Sequence, residues 1–465
     1  MPSRGAASYD EVVQMMRRRL AGFGAGLLVA LVVIPVSALA DLPRSTLGTH
    51  SNDTMARCPA GTQDCPTADP FYRAPADLAS LNNGAVIGVR RTTITEPGIN
   101  PKAAYQVSYR SEDAFNHPVM DVATVLLPSS AYTGSGPQSL VSLQFAIDSL
   151  GAQCAPSYNL THPGANTGID VVAGTWVPEM LSQGYVVVAS DFEGPAEQFV
   201  VGQQEAHAVL DAIRAAESLP KTGLSTQSPV VLTGYSGGAN ATGWASELAA
   251  GYAPQLNIVG AAEGGTPADL AAVGDYLNGS GNFGYDIFGI VAMNRAFPAE
   301  HIPSYFNAAG KRLIAEVQAM CVSTLDSHSS SKKSSSGPNP DFMTYNDYTN
   351  TPDVTELPQF KALMRYESLG QRAPHFPILN YQAYNDEIIP VTQSVALASY
   401  YCSKGVPVEF ALLQGEHEVG LAEGAPLLFD FLRERFAGST PINDCATVVP
   451  AAAQLPQPPQ PRTGG

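Results

Sequence analysis

The stretch Gly234-Tyr235-Ser236-Gly237-Gly238 decides the fold of this chain, because it places a serine in a G-x-S-x-G pattern between two different elements. The apolar run 229–232 before it predicts a buried strand, and the small-residue run 239–250 after it predicts a helix. A sharp turn between a strand and a helix exposes the serine hydroxyl at the end of a sheet. Small residues flank the serine because a larger side chain would clash in so tight a turn. The pattern therefore predicts that Ser236 is a nucleophile.

Two further strand candidates follow the serine, and each leads into a polar residue suited to catalysis. The run 376–384 is followed by Asp386. The run 406–413 is followed by His417. Parallel sheets carry their sites at the carboxyl ends of their strands. A serine needs a base to take its proton, and a histidine base needs a carboxylate to orient it, so we predict a catalytic triad of Ser236, Asp386 and His417.

Each of the two later residues also has a plainer interpretation. Asp386 could cap a helix that starts near Pro390, and Glu387 could be the acid in its place. His417 by itself could be an ordinary loop histidine between two glutamates. The order serine, acid, histidine is the chain order of the α/β-hydrolases, and it favours the triad over the separate interpretations.

The patterns around these motifs predict an α/β-hydrolase fold, with a mostly parallel sheet and an inserted, largely helical cap domain. Further strands are predicted at 85–94, 105–110, 120–127, 139–147, 185–190 and 256–262. The first clear helix is predicted at 204–219, where apolar residues recur on one face. Strands that alternate with helices indicate a parallel sheet covered on both faces.

The chain divides into five predicted segments. They are a signal peptide (1–40), the first part of the core (41–266), a cap or lid insertion (267–373), the second part of the core with Asp386 and His417 (374–448), and a Pro-rich tail (449–465). The insertion is rich in aromatic and turn residues, and it includes a serine-rich tract at 327–337 that is predicted to be a mobile loop.

The first forty residues predict export. Three arginines at 17–19 precede an apolar run at 20–36 and the small-residue sequence Ala38-Leu39-Ala40, which is typical of a cleaved secretory signal. The alternative is a retained membrane anchor. With the signal removed, we expect a secreted chain with no stable membrane insertion.

The net charge excludes several classes of partner. The full chain carries −17, and residues 1–40 hold four arginines and two acids, so their removal leaves −19. Nucleic acids and anionic membranes both require a basic surface. Any contact with a lipid surface is therefore expected to be transient and apolar.

Neither the cysteines nor the one glycine-rich motif at 279–284 predicts a metal or a cofactor. All six cysteines follow residue 40, and an even number in an exported chain predicts disulfides, with fifteen possible pairings. The spacing of Cys58 and Cys65 does not suit a zinc site. The G-x-G-x-x-G match at 279–284 follows a helix-like segment, so it is assigned to a loop rather than to a dinucleotide site.

The chain resembles the secretory lipase family of the α/β-hydrolase superfamily over residues 70–447. The resemblance rests on several motifs in the same order: C-A-P-S-Y at 154–158, G-Y-V-V-V-A-S-D-F-E-G at 184–194, the G-Y-S-G-G stretch, D-E-I-I-P at 386–390 and Glu416-His417. It implies that Asp386 rather than Glu387 is the acid.

The resemblance also implies the disulfides and the oxyanion hole. It joins Cys154 to Cys321 and Cys402 to Cys445, and so leaves Cys58 to Cys65. Its oxyanion hole uses the backbone after the nucleophile, here Gly237, and an aspartate before the C-A-P-S-Y stretch, here Asp148. The loop that holds Asp148 follows the strand 139–147, and such a loop is the usual source of the second donor.

The expected function is that of a secreted serine ester hydrolase, a lipase that cleaves triacylglycerols or other apolar carboxylic esters through an acyl-enzyme. A short-chain carboxylesterase or an acyltransferase would use the same machinery. A non-catalytic binding protein that has kept the fold is a further alternative, which the intact triad disfavours.

Overall fold

Nine strands pair into one sheet in the computed structural model, which describes residues 55–59, 65–134, 136–162, 170–323 and 343–452. The strands are β1 (Val86–Thr92), β2 (Ala103–Glu112), β3 (Pro118–Leu127), β4 (Leu140–Gln144), β5 (Val186–Ser190), β6 (Val230–Tyr235), β7 (Ile258–Gly264), β8 (Ile378–Ala383) and β9 (Val408–Leu413). The predicted signal peptide and the serine-rich tract lie outside the described residues.

The sheet combines an antiparallel edge with a parallel centre. Its order is β1-β2-β3-β5-β4-β6-β7-β8-β9. Strands β1, β2, β3 and β5 pair antiparallel, and every pair from β5 to β9 is parallel. Every residue of β5, β6 and β8 is buried. This burial on both faces is why β5 and the start of β6 appear in the sequence as continuous rather than alternating apolar runs. The α/β-hydrolase prediction is confirmed.

Helices follow most of the parallel strands. They are α1 (Pro156–Asn159), α2 (Asp170–Ser182), α3 (Gly202–Glu217), α4 (Gly237–Tyr252), α5 (Leu270–Leu277), α6 (Phe283–Ala296), α7 (Ala308–Val317), α8 (Tyr345–Tyr348), α9 (Pro358–Tyr366), α10 (Val391–Ser403), α11 (His417–Phe436) and α12 (Cys445–Ala452). The predicted helices at 204–219 and 239–250 correspond to α3 and α4. In the part of the chain that the structure describes, no helix is both long enough and apolar enough to cross a bilayer.

Helix α2 precedes the segment predicted to be the first helix, so that prediction was wrong. Its buried pairs at 172–173, 176–177 and 180–181 recur every four residues, which is a helical period. Gly174 and Pro178 interrupt this pattern with residues that disfavour helices. The apolar period prevails because the face with Trp176 is fully buried beside β5.

The predicted tail also starts later than expected, because residues 449–452 belong to helix α12. This helix packs on α10, and Val448 on it is buried. A disulfide between Cys402 and Cys445 fixes its first residue to the end of α10. The chain beyond residue 452 lies outside the described residues.

Helices α5 to α9 lie between β7 and β8, in the segment predicted to be the cap. Most of its aromatic side chains pack into one buried cluster separate from the main core, including Phe283, Phe288, Phe297 and Phe306. Tyr276 is exposed instead. The G-x-G-x-x-G match forms the turn between α5 and α6, and its last two residues begin α6.

All three implied disulfides are present. Cys58 pairs with Cys65, Cys154 with Cys321, and Cys402 with Cys445. The second bridge ties the loop after β4 to the residues that follow α7. The third closes a segment that includes β9 and His417.

We expect the double substitution Cys402→Ser/Cys445→Ser to lower the free energy of unfolding by roughly 3–4 kcal/mol. A bridge of this sequence separation, 43 residues, limits the freedom of the unfolded chain, and the loss grows with the length of the closed loop. Chemical denaturation followed by circular dichroism measures the change. The pair Cys58→Ser/Cys65→Ser serves as the control, since its separation of 7 residues predicts a smaller loss. Equal losses would contradict the loop-length explanation.

Candidate active site

Ser236 lies in the sharp turn between β6 and α4. Its backbone has φ 56° and ψ −126°, a conformation that a residue with a side chain rarely adopts. Its N–H donates to the carbonyl of Gly264 at 2.9 Å, and its own carbonyl accepts from Ala239 and Asn240 as α4 begins. The predicted strand–turn–helix context of the serine is present.

Close backbone contacts explain the glycines of the motif. A Cβ atom on Gly238 would overlap the carbonyl of Gln144 at the end of β4, and one on Gly234 would overlap the carbonyl of Gly238. A Cβ atom on Gly237 would overlap the carboxylate of Asp148. Larger residues would therefore push α4 away from the sheet and from the loop after β4.

Asp386 and His417 are joined at the carboxyl ends of β8 and β9. The carboxylate Oδ2 of Asp386 lies 2.7 Å from Nδ1 of His417. The same oxygen accepts from Gln382 at 2.7 Å, and Oδ1 accepts from the N–H groups of Ile388 and Ile389 at 2.9 and 2.7 Å. Both oxygens are thus held in place, and the carboxylate is almost completely buried.

Glu387 contacts the main chain of His417 rather than its ring. Its carboxylate accepts from the His417 N–H at 2.9 Å, where α11 begins. The His417 carbonyl accepts from the hydroxyl of Tyr235 at 2.6 Å. Adjacent acids therefore make different contacts: Asp386 bonds the imidazole, and Glu387 bonds the backbone that carries it.

The electrostatic surroundings favour a positive imidazole. Burial alone would lower the pKa of His417, but the hydrogen bond and charge of Asp386, with the charges of Glu418 and Glu387, raise this pKa above its ordinary value. The site thus stabilises the imidazolium that a histidine forms when it accepts a proton.

The loop after β7 joins the serine turn to the histidine. Gly264 accepts the Ser236 N–H, and the next residue, Gly265, packs so closely on His417 that an added Cβ would lie 3.1 Å from its Cε1. The side chain of Tyr235 lies in the same group, with its ring centre 5.0 Å from that of His417. The serine turn and the Asp386–His417 pair therefore meet at one edge of the sheet.

Asp148 lies in the loop after β4 (residues 145–150), which we call the oxyanion loop after the role predicted for Asp148. The strand predicted at 139–147 ends at Gln144, so this loop is longer than expected. Asp148 is buried and has a positive φ of 46°, and its carboxylate lies against Gly237. The two predicted oxyanion residues are therefore neighbours.

A cavity of about 560 Å³ opens at the serine. We call it the Ser236 cavity, and its wall includes Asp148, Ser236 and Gly237. Helices α5, α6 and α9 supply most of the rest of its wall, which is largely apolar. The apolar residues from these helices are Leu270, Val273, Leu277, Ile290, Met293, Phe360 and Met364, and Phe306 before α7 adds to them. Phe306 belongs both to the buried aromatic cluster and to this wall.

Some residues that shape the site carry no motif in the sequence. Gln382 bonds Asp386 and is itself oriented by the hydroxyl of Ser394 at 2.6 Å. Glu193 lies below the oxyanion loop and accepts from Ser149 at 3.4 Å. Burial, the nearby Glu197 and then Asp148 raise the pKa of Glu193 well above its usual range. A polar residue inside an apolar strand is the only signal that points to Gln382 in the sequence.

The fold and the site together define an α/β-hydrolase with a serine at the turn after β6 and an acid–histidine pair at the same sheet edge. Among the described residues, no group of three His, Cys, Asp or Glu side chains is arranged to hold a metal ion. A family model described as "Secretory lipase" matches residues 161–444. The chain belongs to this family and is a carboxylic ester hydrolase.

Named proteins similar to this chain are mostly lipases. Lipase A of Moesziomyces aphidis is 32% identical over 91% of each chain. The secreted triacylglycerol lipase LIP1 of Malassezia furfur is 30% identical over 81% of this chain and 77% of its own length. A Mycobacterium tuberculosis protein whose name describes it as a "probable inactive lipase" is 31% identical over 82% of this chain and 84% of its own length. The crystal structure of Candida antarctica lipase A in its closed state superposes with a TM-score of 0.75 at 30% identity, over 83% of this chain and 89% of that one.

We expect the protein to be more stable in weak acid than in weak base. Burial raises the pKa of Glu263 and of Glu367 to about 8. A carboxyl whose pKa is higher in the folded state stabilises the fold fully below its unfolded pKa of about 4.5, and this stabilisation is lost as the pH rises towards 8. The free energy of unfolding should therefore fall between about pH 5 and about pH 8.5.

Glu263→Gln should reduce this fall, because the amide cannot ionise and can still accept from Asn380, whose side chain donates to Glu263 at 3.1 Å. Glu316→Gln, at an exposed position of α7, is the matched control and should leave the pH dependence unchanged. Chemical denaturation at about pH 5 and about pH 8.5 measures the free energy of unfolding of both variants. If Glu263→Gln loses as much free energy of unfolding between these pH values as the wild type, the Glu263 carboxyl does not cause the pH dependence.

Proposed function

We propose that Ser236, His417 and Asp386 form the catalytic triad of a secreted lipase that cleaves triacylglycerols or other apolar carboxylic esters. The observation that carries the proposal is the 2.7 Å bond between Asp386 and the His417 ring, at the edge where the serine turn stands. Membership of the secretory lipase family supports the same assignment.

The reaction proceeds through an acyl-enzyme. His417 takes the proton of the Ser236 hydroxyl as its oxygen attacks the ester carbonyl, and Asp386 stabilises the imidazolium that forms. The tetrahedral intermediate collapses, the C–O bond to the alcohol breaks, and His417 returns the proton to the departing alkoxide. Water then attacks the acyl-serine with His417 again as base, which releases the acid and restores the serine.

Backbone N–H groups at Gly237 and Asp148 stabilise the oxyanion. The contact between the Asp148 carboxylate and Gly237 fixes the oxyanion loop against the start of α4. Loss of one such donor raises the barrier by about 3–4 kcal/mol in serine hydrolases. The buried Glu193 positions this loop from below through Ser149.

The Ser236 cavity receives the acyl chain. Each methylene that leaves water for an apolar wall contributes about 0.8 kcal/mol, so a long apolar cavity favours long chains. The helices between β7 and β8 act as the cap (267–373) over the core, and they form most of the cavity wall. A short-chain carboxylesterase or an acyltransferase remains the second candidate, because the same triad serves these reactions.

Contact with a lipid surface is assigned to an exposed apolar rim, defined by Tyr276, Tyr384 and Val419. The Tyr276 hydroxyl donates to the Asp386 carbonyl, and the other two residues lie on the segments that carry Asp386 and His417. The contact is transient and apolar, since the chain carries −17 with the predicted signal peptide and −19 without it, and therefore repels anionic membranes. Export through the predicted signal peptide fits a family described as secretory.

Ser236→Ala should abolish both ester hydrolysis and labelling by an organophosphonate, while the thermal unfolding midpoint stays near that of the wild type. Both activities need the hydroxyl as the nucleophile. Ser304→Ala, at an exposed serine of the cap, is the control and should retain both. Hydrolysis above a few per cent in the purified Ser236→Ala variant would remove this serine from the mechanism. A folded wild-type protein that neither labels nor hydrolyses esters would favour the non-catalytic alternative.

Asp386→Asn should lower kcat by orders of magnitude, because an amide favours the wrong histidine tautomer. Glu387→Gln should lower it far less, since this acid bonds only the backbone N–H of His417. Steady-state kinetics on one 4-nitrophenyl ester compares the two neighbouring variants. The reverse ranking would transfer the acid's role to Glu387.

Activity should rise from acetate towards medium and long acyl esters, because the cavity wall is apolar over most of its extent. The measurement is kcat/KM over a series of 4-nitrophenyl esters of increasing chain length. A maximum at acetate or butyrate, with a steady fall beyond about six carbons, would replace the lipase assignment by a short-chain carboxylesterase.

A further inference from the structure

One segment of the cap lies directly against the oxyanion loop. It follows α7 and comprises residues 318–322, and we call it the clamp segment. The Leu150 N–H donates to the Met320 carbonyl at 2.9 Å. The Val322 N–H donates to the Ser149 hydroxyl at 3.0 Å. The last two residues of the oxyanion loop are thus hydrogen-bonded to the cap.

The contact continues beyond the oxyanion loop. The Gln153 side chain donates to the Ala319 carbonyl at 2.9 Å, and a disulfide joins Cys154 to Cys321. A Cβ atom added to Gly151 would lie 2.5 Å from the Ala319 carbonyl oxygen, so the two backbones touch without space for a side chain. The chain that follows the oxyanion loop therefore runs along the clamp segment in direct contact.

A guanidinium joins the two segments from a third direction. Arg295, at the end of α6, donates to the Leu150 carbonyl at 3.0 Å and to the Gln318 carbonyl at 2.6 Å. Hydrogen bonds from a charged donor are stronger than those between neutral groups. One side chain could not keep both carbonyls if the segments separated, so Arg295 favours the arrangement in which the clamp segment touches the loop.

The oxyanion loop needs such contacts because the backbone of Asp148 is strained. Its φ of 46° is uncommon for residues other than glycine, and such a conformation persists only where the surroundings hold it. On the core side, the Ser149 N–H donates to Glu193 at the long distance of 3.4 Å. The hydrogen bonds that join Ser149 and Leu150 to the cap are 2.9–3.0 Å long. The residues that follow Asp148 are therefore held more closely by the cap than by this contact with the core.

We propose that the clamp segment and Arg295 position the oxyanion loop for catalysis, so that the cap sets the rate of the chemical step as well as the fit of the acyl chain. The inference rests on the proposed function, since it takes the backbone N–H groups of Asp148 and Gly237 as the oxyanion donors. Such donors stabilise the transition state only while they stay aligned with the charge that develops there. The clamp segment, all of which the structure describes, contributes no residue to the wall of the Ser236 cavity. It therefore acts through the loop and not on the acyl chain.

This arrangement predicts a particular kinetic signature. An interaction made only in the transition state changes kcat and kcat/KM equally and leaves KM unaltered. Loss of one complete oxyanion donor lowers kcat by about 10²–10³-fold, so a displaced loop should lower kcat by about tenfold or more. The pH profile of kcat should keep its wild-type shape, because Asp386 and His417 follow other strands.

Gly151→Ala places one methyl group between the loop and the clamp segment without removing a hydrogen-bonding group. Its φ of −106° suits alanine, so the contact is the only feature that changes. Gly251→Ala is the matched control on α4, where an added Cβ would meet no atom of the described residues within 4 Å. The measurement is kcat and KM for 4-nitrophenyl butyrate, whose short chain makes little use of the cavity. Gly151→Ala should lower kcat by about tenfold or more with KM within about twofold of the wild type, and Gly251→Ala should change neither.

Removal of the disulfide tests the same contact in a second way. Cys154→Ala/Cys321→Ala should also lower kcat by about tenfold or more, at a temperature where circular dichroism shows the protein to be folded. Cys402→Ala/Cys445→Ala is the control, because that bridge joins α10 to α12 and not to the oxyanion loop. Its loss should reduce stability while kcat stays within about twofold of the wild type.

Three results would overturn the proposal. Folded Gly151→Ala and disulfide variants with the wild-type kcat would show that the loop keeps its conformation without the clamp segment. A raised KM with unchanged kcat would assign the segment to acyl binding, and a shifted pH profile would place the effect at His417. If neither variant folds, Gln153→Met decides, since it removes only the hydrogen bond to Ala319 and should lower kcat by about fivefold. A wild type that hydrolyses no ester refutes the proposed function, whereas an active wild type whose variants match their controls refutes only the role of the clamp segment.

Discussion

The backbone of Ser236 is the constraint on which the rest of the site depends. A residue with a side chain held at this conformation is strained by about 1–3 kcal/mol, so the surrounding contacts must fix it. The carbonyl of Gly264 holds the N–H of Ser236, and Gly238 lies directly against the carbonyl of Gln144. The turn between β6 and α4 is therefore held by contacts with both neighbouring strands, β4 and β7. The oxyanion loop follows β4, and the glycine that contacts His417 follows β7, so one turn aligns the loops of three strands.

The arrangement around His417 shows how two adjacent acids acquire separate tasks. Asp386 receives two backbone N–H groups and the Gln382 amide as well as the imidazole, so its carboxylate cannot rotate away. Glu387 holds the first N–H of α11, where a helix has donors without partners. The sequence leaves both acids open as partners of the histidine, because it does not show which way each side chain points. The choice follows from the tight turn after β8, which directs Asp386 inward.

The central strands could be predicted where they hold a buried apolar run bounded by turn residues, as in 229–232. The sheet order depends on crossover connections and pairing between distant segments, which a linear pattern does not contain. Helix α2 was missed because Gly174 and Pro178 obscured a regular apolar period. The positions of Ser236 in the turn after β6 and of His417 beyond β9 were predictable from motif and order. The contact of Gln382 with Asp386 was not, because a single polar residue acquires its meaning only from the neighbours that folding brings to it.

The attachment of α6 to the core limits how the cap can move. At the end of this helix, the guanidinium of Arg295 donates to the carbonyls of Leu150, Ala196, Glu197 and Gln318. These bonds join α6 to the oxyanion loop, to the segment before α3 and to the end of α7. Hydrogen bonds from a charged group are each worth about 1.5–3 kcal/mol, and a buried guanidinium that lost them would be left without partners.

The Cys154–Cys321 bridge ties the same region covalently, close to the carbonyl of Gln318. Displacement of the whole cap as one body would break the Arg295 network and strain this bridge at the same time. The rim at Tyr276 is held differently, because α5 contacts the Asp386 loop through the Tyr276 hydrogen bond and through a small apolar cluster of Val273, Leu277, Ile388 and Ile389. The same anchoring holds α6, which forms part of the cavity wall, against the loop after β4.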